Sequence, residues 1–451
     1  MGVTKWLMPG AIGALGLAAL LHAQAVPTAT SLGNVKDPGV RAGSAGAGGP
    51  VAGLKPNESA LFTAGQARFA EVDSVSGTVP GEAGSGLGPS FNMNSCAGCH
   101  AFPAIGGSSP LTNPQIAVAT LHGANNLVPS FISLNGPVRE VRFKLNPDGS
   151  ADGGVHDLFT IAGRMDAAGC NLAQTQFASQ ISAGNVIFRI PTPIFGGGLI
   201  EAIEDSVILA NKTANSQVKS QLGISGHENR TANDGSITRF GWKAQNKSLL
   251  IFGGEAYNVE QGVTNELFPN PRQTASGCDA VPHPEDNTPA GDGNMSDVTG
   301  FAMFMEMLAP PSPVTSYAGV TSTSIQHGQT VFVQLGCAQC HTPSLTTGPS
   351  SVAALSGKTV NLYSDLLVHN MGDQLADGIS QGNAAGDEFR TAPLWGLGQR
   401  IYLLHDGRTT DLVQAILMHA GRNSEANQVI AAAALLSQSS KQDLLNFLRS
   451  L

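Results

Sequence analysis

The chain has 451 residues, enough for two domains or more, and its 41% apolar content is that of a globular protein and not a disordered one. Charged residues make up only 13% against 55 Gly and 26 Pro, a composition that predicts long ordered loops built around a bound group. The net charge of −9 excludes a basic nucleic-acid footprint.

The first element is an export signal. Lys5 gives the positive start, Ala11 to Leu21 the short apolar run, and Ala23-Gln24-Ala25 the small residues of a cleavage site. Residues 1–25 are therefore read as a signal peptide, and no stable membrane insertion is expected, because the run is short for a bilayer. Residues 26–55 ("RAGSAGAGGPVAG") read as a flexible leader. A helix is predicted from about Asn57, with Leu61, Ala64, Phe69 and Val72 on one face. Short β-like runs follow in "REVRFKL" and "NVIFRIPTPIF". "GGGLIEAIEDSVILAN" reads as a Gly-rich loop feeding a helix, and Trp242 to Tyr257 as partly helical.

The Pro-rich stretch "APPSPVTS" (Ala309 to Ser316) marks a boundary. It separates an N-terminal domain, 56–310, from a compact one, 317–451. The second closes with "SSKQDLLNFLRSL", capped by Ser439 or Ser440, with Leu444, Phe447, Leu448 and Leu451 along one face. The fold class expected is mainly α with long loops and a few short β-strands.

Four of the six cysteines fall in two copies of one motif, Cys96-x-x-Cys99-His100 and Cys337-x-x-Cys340-His341. A zinc site and a redox dithiol both use paired cysteines. A dithiol, however, needs no histidine directly after it, and neither pair has a further cysteine pair nearby. The spacing is the attachment signature of c-type haem: two thiols three positions apart form thioethers with the two porphyrin vinyl groups, and the next imidazole becomes the axial iron ligand. Two covalent c-type haems follow, with His100 and His341 beneath the irons and two cytochrome c-like haem domains around them. Cys170 and Cys278 remain as an even pair, for which a structural disulfide is expected in an oxidising compartment.

The occupant of each sixth iron position decides between catalysis and electron storage. "TTDLVQAILMHAGR" reads as a helix capped by Thr409 or Thr410 and stopped by Gly421, with Leu412, Ala415, Ile416 and His419 on one apolar face. His419 is the candidate second ligand of the C-terminal haem, ahead of Met418, His369 and Met371.

Six stretches carry a resemblance to a known family: "GLGPSFNMNSCAGCH", "GGGLIEAI", "RFGWKAQ", "YSDLLVHNMGD", "EFRTAPLWGLG" and "YLLHDGRTTDLVQAILMHAG". In this order, over most of 57–451, they resemble the bacterial di-haem oxidoreductases described as peroxidases or thiol oxidoreductases. That family is more distantly similar to di-haem cytochrome c peroxidases, to the di-haem enzyme that matures methylamine dehydrogenase and to the haem rubber oxygenases. In these relatives an "HDG" precedes the helix that delivers the distal ligand of the C-terminal haem. Counting from His405-Asp406-Gly407, the matching position here is His419, which implies a closed bis-histidine haem.

The resemblance implies that the N-terminal haem reacts, with Glu201 as the acid–base group and Phe195 lining the pocket, while His122 could close the site at rest. It also implies a tryptophan between the haems, Trp242 or Trp395. Arg408 and Arg390 are candidates for the haem propionates. The implied activity is reduction of hydrogen peroxide in the periplasm, with electrons entering at the C-terminal haem from a small redox protein, a c-type cytochrome or cupredoxin. Dioxygen activation or oxidation of another substrate is one alternative, and a non-enzymatic electron relay the other. A calcium ion between the domains, as in some relatives, is left open.

Overall fold

The computed structural model describes residues 31–82, 84–278 and 295–451. The expected signal peptide, 1–25, lies outside them. None of the described helices is long and apolar enough to cross a membrane.

The N-terminal part is organised by three helices. Pro56–Phe69 starts with proline at its first position, where no N–H is needed, and packs along Asp297–Met307. Phe62 and Phe69 both meet Phe304, at 5.3 and 5.0 Å between ring centres. The two backbones approach so closely that a Cβ at Gly65 would collide with the Gly300 carbonyl oxygen. The buried face is thus Phe62, Gly65 and Phe69, one position round from the face expected, and Leu61 is exposed. Burying the larger phenylalanine ring removes more apolar area from water than burying Leu61. Leu249–Gln261 packs on the other side of Asp297–Met307, its N-terminus capped by the Ser248 hydroxyl. The Gly-rich segment forms two helices, Gly197–Glu201 and Asp205–Thr213.

Both expected β-like runs are strands. Glu140–Phe143 pairs antiparallel with Val186–Arg189 on one side and Val155–His156 on the other. Cys170 and Cys278 are joined as a disulfide. The expected description, helices with long loops and short strands, fits, and no barrel forms among the described residues.

In the C-terminal part Ser322–Leu335 packs against Gln438–Ser450. Phe332 meets Phe447 at 5.4 Å, and Leu444, Phe447, Leu448 and Leu451 are buried as expected. The caps differ from those expected. Ser437 caps the closing helix and Asp411 the helix Leu412–Leu417, because each accepts a backbone N–H two or three residues on.

The two parts interlock more than the Pro-rich break suggests. Residues 224–246 run against the C-terminal part: Asn229 binds the Lys243 and Gln381 carbonyls, and His227 pairs with Val368. Residues 31–55, expected to be a flexible leader, are strapped across both parts. Asn34 and Lys36 bind Gln438 and Gln442, Arg41 binds Gly398, and Val51 binds Met307. At the centre of the strap the Asp37 carboxylate meets Arg449, which is 0% exposed, and accepts the Leu412 N–H at 2.7 Å. A buried guanidinium needs a carboxylate partner, which explains why this Gly-rich segment is held.

Replacing Asp37 with Ala leaves Arg449 buried and unpaired, so stability should fall by about 3–5 kcal/mol, read as a lower denaturant midpoint. Replacing Cys278 with Ser should cost about 2–5 kcal/mol in the same measurement, because the bond closes a long loop in the unfolded chain.

Candidate functional site

Two cavities lie where the two motifs fall. The first, about 1000 Å³ of space including its opening to solvent, is lined by Cys96, Cys99 and His100. The second, about 1460 Å³ on the same measure, is lined by Cys337, Cys340 and His341.

The two motifs are placed in the same way. Cys96–Cys99 forms a single helical turn, and His100 ends it. Helix Ser322–Leu335 stops at Gly336, whose φ of 97° suits glycine, and Cys337–Gln339 follows as one tight turn. A turn puts the two sulfurs on one side and the histidine after them against the cavity. Each ring is then fixed through one nitrogen: His100 Nδ1 lies 3.0 Å from the Gly107 carbonyl oxygen, and His341 Nδ1 lies 3.0 Å from that of Tyr363. Carbonyl oxygens only accept, so Nδ1 carries the proton and Nε2 keeps its lone pair. Burial pushes both imidazoles down to about 4, with the neighbouring His419 adding to the effect at His341. Both rings are therefore neutral near neutral pH and able to act as metal ligands. None of the four motif cysteines is in a disulfide.

His419 lines the second cavity together with Leu412, Ala415 and Ile416, the face expected. The helix itself ends at Leu417, and His419 sits just past it, with Nδ1 2.8 Å from the Ala415 carbonyl oxygen. It is the same arrangement as at the motif histidines, and burial lowers this imidazole as well. Met418 is not on the cavity wall and packs towards Trp242, Tyr402 and Leu375. Met371 and His369 do line the wall. His369, however, is bonded at both nitrogens, to Asp365 at 2.9 Å and Glu425 at 2.7 Å, so it has no lone pair to offer. This carboxylate clamp has no local signal in the sequence, because Glu425 joins it from a distant turn. Among the described residues, no second histidine lines the first cavity.

Trp242 lines both cavities, and its indole N–H donates to the Ile190 carbonyl at 2.9 Å. Trp395 lines neither and is buried in the N-terminal core near Gly196. A buried cluster lies beside Trp242: Asp377 binds Arg189 at 2.8 Å and Lys243 at 3.2 Å, and Lys243 sits 4.1 Å from the Phe389 ring.

Other expected residues fall elsewhere. Glu201 lines neither cavity. Its carboxylate accepts the Leu249 N–H at 3.0 Å, where it serves a helix start, and burial raises it. His122 is paired with Glu82 at 2.7 Å, away from the first cavity, because its left-handed backbone turns the ring towards that carboxylate. Phe195 lines a smaller neighbouring recess that shares Thr192, Ile194, Gly241 and Phe252 with the first cavity. Arg408 is held by Asp406 and the Gln374 carbonyl and lines neither cavity. Arg390 lines the second cavity with Arg400. Burial, with a neighbouring guanidinium, lowers each to about 10, and among the described residues neither forms an ion pair with a carboxylate. Arg139 and Arg189 line the first cavity, each with a buried Nε that has no hydrogen-bond partner.

Among the described residues, the one cluster of three metal-ligating side chains is Cys340, Asp365 and His369. It is a thiol, a carboxylate and an imidazole, unlike the oxygen set that calcium takes.

No curated protein matches the chain. Among solved structures, Kuenenia stuttgartiensis hydrazine synthase pressurised with xenon is 12% identical over 98% of this chain and 100% of that one, with a TM-score of 0.34, too low to bear on fold or function. The family model described as "Di-haem oxidoreductase, putative peroxidase" matches residues 145–451, a span that contains the second motif, Trp242 and His419 and leaves the first motif outside it. The chain belongs to this family of di-haem oxidoreductases.

Proposed function

We propose that the chain is an exported, periplasmic di-haem c-type peroxidase with two haem domains, 56–310 and 317–451, each of a cytochrome c kind. Cys96 and Cys99 would hold one haem through thioethers and Cys337 and Cys340 the other, with His100 and His341 each offering an imidazole nitrogen to the iron. The residues fit such groups: each cavity is mostly apolar and walled by a thiol pair and a neutral imidazole with a free Nε2. The first wall carries Arg139 and Arg189, each with an unpartnered Nε, and the second carries Arg390 and Arg400, which form no ion pair with a carboxylate among the described residues; such guanidinium groups suit propionates. Bound haem would supply one-electron storage at both sites and, at the first, a place for a small oxidant. The disulfide supports an oxidising compartment.

One observation carries the division of labour. Among the described residues, the second cavity has two fixed, neutral imidazoles on its wall, His341 and His419, and the first has one, His100. His419 closes the second site, which takes electrons from a small redox protein, a c-type cytochrome or cupredoxin. Trp242, in the wall of both, spans the gap between them. The first site receives hydrogen peroxide, which with two electrons and two protons becomes two waters.

The chain's own residues set these roles. The Gly107, Tyr363 and Ala415 carbonyls hold the three imidazoles in one tautomer. The apolar walls exclude water. The Asp365–Glu425 clamp keeps His369 from competing with His419.

His419→Gly should convert the second haem from low to high spin in the absorption and electron paramagnetic spectra, with haem content unchanged; an unaltered spectrum removes His419 as ligand. Trp242→Ala should slow electron equilibration between the haems in the half-reduced protein without changing either spin state. Peroxide consumption with a reduced donor cytochrome supports the peroxidase. A protein that is wholly low-spin and unmoved by peroxide is a relay. Consumption of dioxygen in place of peroxide indicates an oxygenase.

A further inference from the structure

We infer that Arg390 is the positioning residue of the electron path: it holds Trp242 by the two main-chain carbonyls that flank it and offers the rest of its guanidinium to a propionate in the second cavity. The inference rests on the reading of Trp242 and the two haems above. It deepens that reading by naming what sets the tryptophan in place and what ties it to the second site.

Arg390 is the last residue of strand Glu388–Arg390, which pairs with Val368–Asn370. Its main-chain N–H donates to the Trp242 carbonyl at 2.9 Å, and its Nε donates to the Gly241 carbonyl at 3.0 Å. These carbonyls lie on either side of the Trp242 α-carbon, so one residue fixes the tryptophan backbone at both ends. The Ile190 carbonyl fixes the indole separately. Gly241 has a φ of 84°, a left-handed conformation suited to glycine, and it lines the first cavity. Arg390, on the wall of the second cavity, therefore has its grip on the wall of the first. Its neighbour Phe389 stacks on His405 at 4.3 Å, and His405 meets the Trp242 ring edge-on at 6.4 Å. The strand thus backs the indole as well as its backbone.

The remaining donors point to an anion. A guanidinium is planar, with five N–H groups in a rigid fork. Anchoring Nε to Gly241 sets that plane and leaves the two terminal nitrogens. Arg390 is only 6% exposed, and among the described residues no carboxylate pairs with it. Burial lowers the group to about 10, so it stays a cation near neutral pH. A buried cation calls for an anion, and the cavity it lines is the place for one. A propionate is a planar carboxylate that matches the fork.

No bond or proton changes hands at Arg390. One electron leaves the reduced second haem and one arrives at the oxidised first haem, and Arg390 and Trp242 end as they began.

The test compares wild-type holoprotein with Arg390→Gln, Arg390→Lys and Trp242→Ala. Haem content and both spin states should be unchanged. In Arg390→Gln the reduction potential of the second haem should fall, because a nearby cation no longer favours the added electron. In Arg390→Lys it should stay near the wild-type value, the charge being kept. Electron equilibration between the haems in the half-reduced protein should slow by about ten- to a hundredfold in both Arg390 variants, since neither side chain replaces the fork. Equilibration at the wild-type rate in both, or loss of the second haem from both, overturns the role of Arg390. A potential unmoved in Arg390→Gln overturns the propionate contact. A wild-type rate in Trp242→Ala overturns the tryptophan bridge instead, and the potential of Arg390→Gln then still decides whether the guanidinium faces the second haem.

Discussion

One hydrogen bond, made three times, underlies the chemistry available to this chain. A buried imidazole keeps its Nδ1 proton on a main-chain carbonyl: Gly107 for His100, Tyr363 for His341 and Ala415 for His419. A backbone acceptor cannot donate in return, so the tautomer is fixed. Burial forbids the charged form. The outcome is a neutral ring of set orientation with its second nitrogen free, the form a transition metal needs. His369 makes the contrast. Two carboxylates in place of carbonyls turn the same side chain into a cation that serves structure alone.

The rest of the fold holds these rings while leaving large voids beside them. Close backbone contacts at Gly65 and Gly328 bring helix pairs together without side chains between them. Few charges are spent inside the chain, but several of those that are buried join distant segments. Arg189, Lys243 and Asp377 come from three separate stretches and meet next to Trp242. Removing Asp377 would leave two buried cations without their shared carboxylate, so the wall between the cavities depends on that one anion.

Much of the site is legible in the sequence because it is local. The Cys-x-x-Cys-His spacing, the face of the helix ending near His419 and the closing apolar stripe depend on neighbours a few residues apart. The disulfide follows from counting. What escapes is set by partners far along the chain. Glu201 sits in a promising Gly-rich stretch, yet its carboxylate is drawn to a helix start at Leu249. Arg139 and Arg189 have no motif at all, and only the pairing of two distant strands brings them to the same wall. The leader reads as mobile from its glycines, and a single aspartate matched to a buried arginine reverses that reading.

That ion pair joins residues 412 positions apart in the chain. Closing so long a loop is entropically slow, and its reward comes only when the last helix exists. The strap also ties Leu412, at the start of the segment leading to His419, to the amino-terminal stretch. One aspartate thus fastens the amino-terminal stretch to the last helix and to the segment before His419, so that loosening it would slacken both at once.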